Sequence, residues 1–245
     1  MDSLLTRLNQ RAASMPDVVI YEHYVAGQMT DSLTYGALRS AACGAAQGIR
    51  SLAGEGGRVV LTHPPGLDFL VDFFGCLYAG VTAVPAPTPS TPAGLVRLEA
   101  IARVARADVL LTSQEGRDEL TRLGARASSP FRVEVLPRTH LSHPPPQGAG
   151  DGIAVLQFTS GSTGEPKGVA ISSNNIAHNL ENIRLAYGVP QDPVSERGVL
   201  WLPQFHDMGL FGRLECVWAG FPCALMSALE FGRRPAAWLE LISGT

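Results

Sequence analysis

From residue 58 onward the chain alternates two hydrophobic patterns. Short apolar runs of strand length occur at "RVVLTH" (58–63), "VTAVPAP" (81–87), "DVLLTS" (108–113), "FRVEVLP" (131–137) and "IAVLQFTSG" (153–161). Gly, Pro or polar residues bound each run, which marks strands. Between them lie longer stretches with helical spacing. "LDFLVDFFGCLYAG" (67–80) reads as an apolar helix ending at Gly80, "AGLVRLEAIARVARA" (93–107) places Arg on the face opposite its apolar residues, and "GRDELTRLGA" (116–125) reads as a third helix. The alternation continues after residue 160. "GVAISS" (168–173) reads as the hairpin return of 153–161, and "SNNIAHNLENIRLAYG" (173–188) as a helix with a Ser or Asn cap and a terminal Gly. "RGVLWLP" (197–203) and "PCALMS" (222–227) read as strands, "HDMGLFGRLECVWAG" (206–220) and "RRPAAWLELIS" (233–243) as helices. Repeated strand–helix alternation predicts an α/β fold with alternating strands and helices in parallel-rich sheets. "SHPPPQGAGDG" (142–152) is the best linker candidate, so the chain divides into an α/β subdomain at 1–150 and a second α/β segment at 151–245.

Composition narrows this picture. Of 245 residues 45% are hydrophobic and 17% charged, enough for a sizeable core. The net charge of −3 argues against a nucleic-acid or anionic membrane surface. The longest apolar zone, "GLDFLVDFFGCLYAGVTAVPAP", is broken by Asp68 and Asp72 and is too short to span a membrane. "MDSLLTRLNQRAASMPD" has no apolar run suited to a signal peptide. Cys43, Cys76, Cys216 and Cys223 form no C-x-x-C pair and read as buried free thiols, so the expected setting is the cytosol. The histidines at 23, 63, 140, 143 and 178 share no spacing and read as surface or core residues, and Trp201, Trp218 and Trp238 read as core aromatics.

One decapeptide carries candidate chemistry. "TSGSTGEPKG" (159–168) holds three Gly, four hydroxyl residues and Lys167, the only lysine among nineteen basic residues. Gly161 and Gly164 would let backbone N–H groups approach an anion, Thr159, Ser160, Ser162 and Thr163 add hydroxyls, and Lys167 adds a mobile point charge. The combination suits a polyphosphate. It differs from a Walker A loop, in which Gly-Lys is followed by Ser or Thr and then a helix. Here Gly168 follows Lys167 and the next element reads as a strand, so the loop should be a hairpin over a nucleotide. A plain surface hairpin is the competing reading.

In order, these ten residues resemble the phosphate-binding signature of AMP-forming adenylating enzymes: acyl-CoA synthetases, luciferases and peptide-synthetase adenylation domains. "LTYGALRS" (33–40), "GCLYAGVTAVPAPTP" (75–89) and "WLPQFHDMGLFG" (201–212) resemble further family segments in the family's order. "PPGLDFLVDFFGCLYAGVTAVPAP" and "WLPQFHDMGL" are most similar to fatty acyl-AMP ligases. The resemblance implies a large N-terminal domain and a small C-terminal one. It implies activation of a fatty or other carboxylic acid by ATP with Mg2+, release of pyrophosphate, and transfer to an acyl carrier protein. It assigns Thr159, Ser160, Gly161, Ser162, Thr163, Gly164 and Lys167 to the phosphates, Lys167 and His206 to catalysis, and His206, Asp207, Met208 and Gly209 to the acyl pocket. His206 could instead merely pack, and Asp207 could serve only as a helix-terminal charge.

The adenine, ribose and hinge segments and the C-terminal catalytic Lys of the family are not found. The chain therefore reads as an N-terminal portion, expected to be weak or inactive alone. Arg213 and Glu215 stand on a helix where relatives usually carry small or apolar residues. An acyl-CoA synthetase, an adenylation domain for another acid, or a non-catalytic interaction module that keeps the fold remain alternatives.

Overall fold

A computed structural model describes residues 2–141, 152–159, 166–191 and 196–244. The chain begins with α1 (Leu4–Ser14), β1 (Val19–Val25), β2 (Gln28–Thr34) and α2 (Tyr35–Ala53). It continues with β3 (Arg58–Leu61), α3 (Asp68–Ala79), β4 (Thr82–Pro85), α4 (Pro92–Ala105), β5 (Val109–Leu111), α5 (Gln114–Arg122) and β6 (Arg132–Glu134). After the expected linker, which apart from Gly152 lies outside the described residues, come β7 (Ile153–Thr159), β8 (Lys167–Ser172) and α6 (Ser173–Ala186). The last elements are β9 (Gly198–Leu200), α7 (Asp207–Ala219), β10 (Cys223–Leu225), α8 (Ala228–Arg233) and α9 (Ala236–Ser243).

These elements form two compact units. One comprises Met1–Arg39, Pro65–Leu67 and Asn174–Thr245, the other Ser40–Pro64 and Asp68–Ser173. The division expected near residue 150 is not where the units part. Backbone pairing explains the difference: β7 pairs in parallel with β4 through Ala83 and Val155, so β7 and β8 complete the sheet begun by β3.

That sheet has the order β6-β5-β3-β4-β7-β8 and is parallel except for the β7–β8 hairpin. β3, β4 and β5 are almost wholly buried, as expected for parallel strands covered on both faces. One side of the unit's core joins Val60, Val84 and Leu110 of these strands to Leu98 and Ile101 of α4 and to Phe131. Phe69, Phe73 and Phe74 of α3 are fully buried, each worth about 2 kcal/mol of burial. Two glycines of α2 let the segment after β6 lie close: a Cβ at Gly44 would stand 2.0 Å from the Thr139 carbonyl oxygen, and one at Gly48 2.8 Å from Leu136. The same segment brings Arg138 onto α3, where it pairs with Asp72 at 2.6 Å and Asp68 at 3.0 Å. His63 Nε2 lies 3.1 Å from the other Asp72 oxygen. Burial alone would raise the Asp72 carboxyl, but His63 and then Arg138 hold it below its ordinary value.

The other unit holds the sheet β2-β1-β10-β9, in which β1, β10 and β9 run parallel and β2 is antiparallel to β1. Ala26 and Gly27 form the two-residue turn between β1 and β2 with φ of 52° and 78°, the left-handed pair that matches strand twist. α1 and α7 pack together, with the Arg7 guanidinium 5.1 Å over the ring of Trp218. Trp218 is buried. Trp201 and Trp238 are only half-buried, unlike the core aromatics expected: Trp201 stacks on Phe231 at 3.8 Å, and Trp238 meets Phe231 edge-on and donates to the Val199 carbonyl. All four cysteines are free and buried, as their spacing suggested. Among the described residues no helix is long and apolar enough to cross a membrane.

Candidate active site

β7 and β8 pair in the register Gln157↔Val169, Phe158↔Gly168 and Thr159↔Lys167. Lys167 and Thr159 are thereby brought opposite each other at the mouth of the glycine loop, both exposed. Ser160, Gly161, Ser162, Thr163 and Gly164 lie outside the described residues. The element that follows Lys167 is a strand, so the loop is a hairpin connection and differs from the loop-to-helix arrangement of a Walker A site. Gly168 leaves room for its paired neighbour: a Cβ there would stand 3.0 Å from the Phe158 ring, which would have to shift by a few tenths of an ångström. Among the described residues Lys167 has no carboxylate partner. Because β7 runs parallel to β4, the loop leaves the carboxyl end of the strand, where open α/β sheets bind their ligands.

The second group of candidates begins α7, in the other unit. His206 is the N-cap residue, yet its side chain makes no capping hydrogen bond. Its Nδ1 lies 2.6 Å from Asp207 Oδ1, and the same oxygen accepts from the Met208 N–H at 2.7 Å. Asp207 therefore does act at the helix N-terminus, where a negative charge is favoured. His206, Asp207 and Met208 are exposed enough to meet a ligand, while Gly209 is buried. A Cβ on Gly209 would stand 2.0 Å from the Pro203 carbonyl oxygen, so the absent side chain is what lets the preceding segment fold back over the first turn.

Arg213 and Glu215, the two departures on this helix, behave differently. Arg213 is buried and its Nη1 donates to the carbonyls of Leu202 at 3.0 Å and Gly209 at 2.5 Å. Tyr21 donates its hydroxyl to the Arg213 carbonyl at 2.8 Å. Arg213 thus ties the 202–209 segment to the helix it precedes. Glu215 is equally buried, but among the described residues neither carboxyl oxygen has a hydrogen-bond partner. Burial pushes this carboxyl up to about 7, with Arg184 pulling it down and Glu181 pushing it further up.

A parallel-rich α/β sheet with a hydroxyl- and glycine-rich connection leaving the carboxyl end of one strand is the architecture of a protein that binds a phosphorylated ligand. The family described as AMP-binding enzyme matches residues 8–245, and the chain belongs to it. It is 37% identical to the medium-chain-fatty-acid–[acyl-carrier-protein] ligase JamA of Moorena producens, over 87% of this chain and 37% of that protein. It is 33% identical to the long-chain-fatty-acid–AMP ligase FadD26 of Mycobacterium tuberculosis, over 98% of this chain and 43% of that one. The crystal structure of a fatty acyl-adenylate ligase from Legionella pneumophila, in complex with acyl adenylate and pyrophosphate, superposes with a TM-score of 0.85 at 28% identity, covering 98% of this chain and 42% of that one. The chain spans about two fifths of the length of these curated relatives.

Proposed function

We propose that this chain supplies the phosphate- and acid-binding part of an enzyme that activates a fatty acid with ATP and passes it to an acyl carrier protein. The observation that carries the reading is the β7–β8 register, which sets Lys167 opposite Thr159 across a loop otherwise made of Gly, Ser and Thr. The names of both relatives, ligases of fatty acids, support the acid, and that of JamA supports the carrier. The setting proposed is the cytosol, with neither nucleic acid nor membrane insertion involved.

A carboxylate is a poor electrophile. In the proposed reaction its oxygen attacks the α-phosphorus in line, the bond to the bridging oxygen breaks, and pyrophosphate leaves. Thr159, Ser160, Ser162, Thr163 and Lys167 would hold the β- and γ-phosphates, with Gly161 and Gly164 shaping the loop. Their donors would offset the charge that gathers on the leaving group, so catalysis is positioning and electrostatics. His206, with Asp207, Met208 and Gly209, is assigned to the acyl-adenylate pocket. A magnesium ion would arrive with the triphosphate. Among the described residues no group of three or more His, Cys, Asp or Glu is placed to hold a metal, so no step is assigned to it.

Calorimetry of ATP with magnesium tests the reading. The chain should bind saturably and Lys167→Ala should weaken binding at least about tenfold, as expected for a lost charged contact. Equal binding by both, or binding by neither, would refute a phosphate site in this loop.

A further inference from the structure

We propose that the side-chain amide of Gln157 is a further ligand of the nucleotide, donating to an anionic phosphate oxygen beside the Thr159–Lys167 pair; this rests on the phosphate-site reading above.

Gln157 is 6% exposed, its Nε2 is sealed from solvent, and among the described residues that nitrogen has no hydrogen-bond partner. An unpaired buried amide costs about 1–3 kcal/mol, so an apolar residue there would serve folding better. The surroundings make the point sharper. Side chains alternate along a strand, and directly paired residues share a face. Val109, Val59, Ala83, Val155 and Ile171 therefore form one row across the sheet, all on the same face. Two residues further toward the carboxyl ends, that face carries Leu111, Leu61 and Pro85, and on β7 it carries Gln157. A single amide interrupts an otherwise apolar set.

The next residue on this face of β7 is Thr159, about 7 Å along the strand, and Lys167 stands opposite it. Gln157 thus occupies the step between the sheet's apolar interior and the mouth of the loop. Its open group is a donor. A triphosphate held by the loop is rich in acceptors, and its binding would give the amide the partner it lacks. A donor enclosed away from water is worth more to an anion than one at the surface. The cost in folding is then recovered when the nucleotide binds.

The test combines ATP–magnesium calorimetry with urea unfolding on the wild type, Lys167→Ala, Gln157→Met and Gln157→Glu. Met matches Gln in length and removes the polar group. Gln157→Met should bind ATP roughly tenfold more weakly while its urea midpoint is unchanged or higher. Gln157→Glu should bind more weakly still, since a carboxylate repels phosphate and cannot donate when ionised. A purely structural amide predicts the reverse pattern, a lower midpoint with unchanged affinity. If Lys167→Ala loses ATP while both Gln157 variants bind as the wild type does, the role of Gln157 is overturned and the loop site stands. If the wild type binds no ATP, the phosphate-site reading fails and the proposal falls with it.

Discussion

Replacing Glu215 with Gln should make the protein more stable, and only at neutral and alkaline pH. The residue is 6% exposed, and among the described residues both carboxyl oxygens are unpaired. Its neighbours explain why no cation rescues it. Arg184 is already engaged by Glu181 at 2.6 and 3.0 Å and by the Val189 carbonyl at 2.7 Å. Trp218 Nε1 donates to Glu181 as well, at 2.9 Å. Glu181 is accordingly drawn down to about 2, first by its hydrogen bonds from Arg184, while burial pushes Glu215 up from 4.5 to about 7. A pKa raised in the folded state means the folded chain holds the proton that the unfolded chain releases. Between about pH 4.5 and 7 stability therefore falls as pH rises, by up to ~1.4 kcal/mol per pH unit, and levels off above. The shift corresponds to roughly 3 kcal/mol in full. Gln cannot titrate and mimics the protonated acid in shape. Relative to the wild type, Glu215→Gln should gain about 2–3 kcal/mol between pH 5 and pH 8, because other titrating groups cancel in the difference. Urea unfolding followed by tryptophan fluorescence at those two pH values measures this directly. A difference that stays flat with pH, or is larger at pH 5, would show that Arg184 compensates the buried charge and would sink the reasoning.

Three further outcomes follow from the packing. Asp72→Asn should destabilise by roughly 3 kcal/mol at pH 7, since it removes at a buried position the negative charge that His63 and Arg138 both contact. Asp72 is held below its ordinary 3.8, so its contribution is present above that pH and lost as pH falls through the lower folded value; the deficit in urea midpoint should shrink on acidification. Ala26→Asn should raise stability by about 0.5–1 kcal/mol in thermal unfolding, because Ala26 sits at φ 52° where Asn is better tolerated and the N–H bond to Glu230 is retained. Gly209→Ala should cost about 1–3 kcal/mol in urea unfolding, since its Cβ meets a backbone oxygen, whereas Gly212→Ala meets only the yielding side chain of Leu200 at 3.1 Å and should cost less.

Where the sequence pattern spoke clearly, one physical condition held. β3, β4 and β5 are buried on both faces, so they read as unbroken apolar runs, and Gly80 and Gly220 stop α3 and α7 with φ of 67° and 95°. The strands and helices of the first 57 residues are hard to read from the sequence for the opposite reason. β2 is an exposed edge strand whose sequence, "QMTDSLT", has no apolar face, and its turn is Ala-Gly where Asn-Gly would have announced a hairpin. α2, "YGALRSAACGAAQGIRSLA", is built of small residues because the chain passes so close over Gly44 and Gly48. α8 shows no apolar pattern although its capping box, Ser227 with Glu230, stands in the sequence as S-x-x-E. Six residues are too few to show a helical period. α9 begins after Pro235, not at Arg233, because α8 ends on the residues before that proline.

The same limit applies at the candidate site. The loop announces itself through composition, but Gln157 does not, because its meaning depends on register: only the pairing across β4, β7 and β8 puts it in line with Thr159 and among apolar neighbours. Arg213 and Glu215 make the case on a single helix. In sequence they are one signal, two charges in an apolar stretch. In the structure Arg213 finds two carbonyls that the bare backbone of Gly209 brings within reach, and it fastens the segment leading to His206. Glu215, two residues on, finds its nearest cation already taken by Glu181. A buried charge with acceptors or donors to satisfy it organises a site, and one without them is a stored destabilisation. Partner geometry decides between these, so Arg213 counts as support for the His206 segment, and Glu215 as a group that should ionise only against the fold.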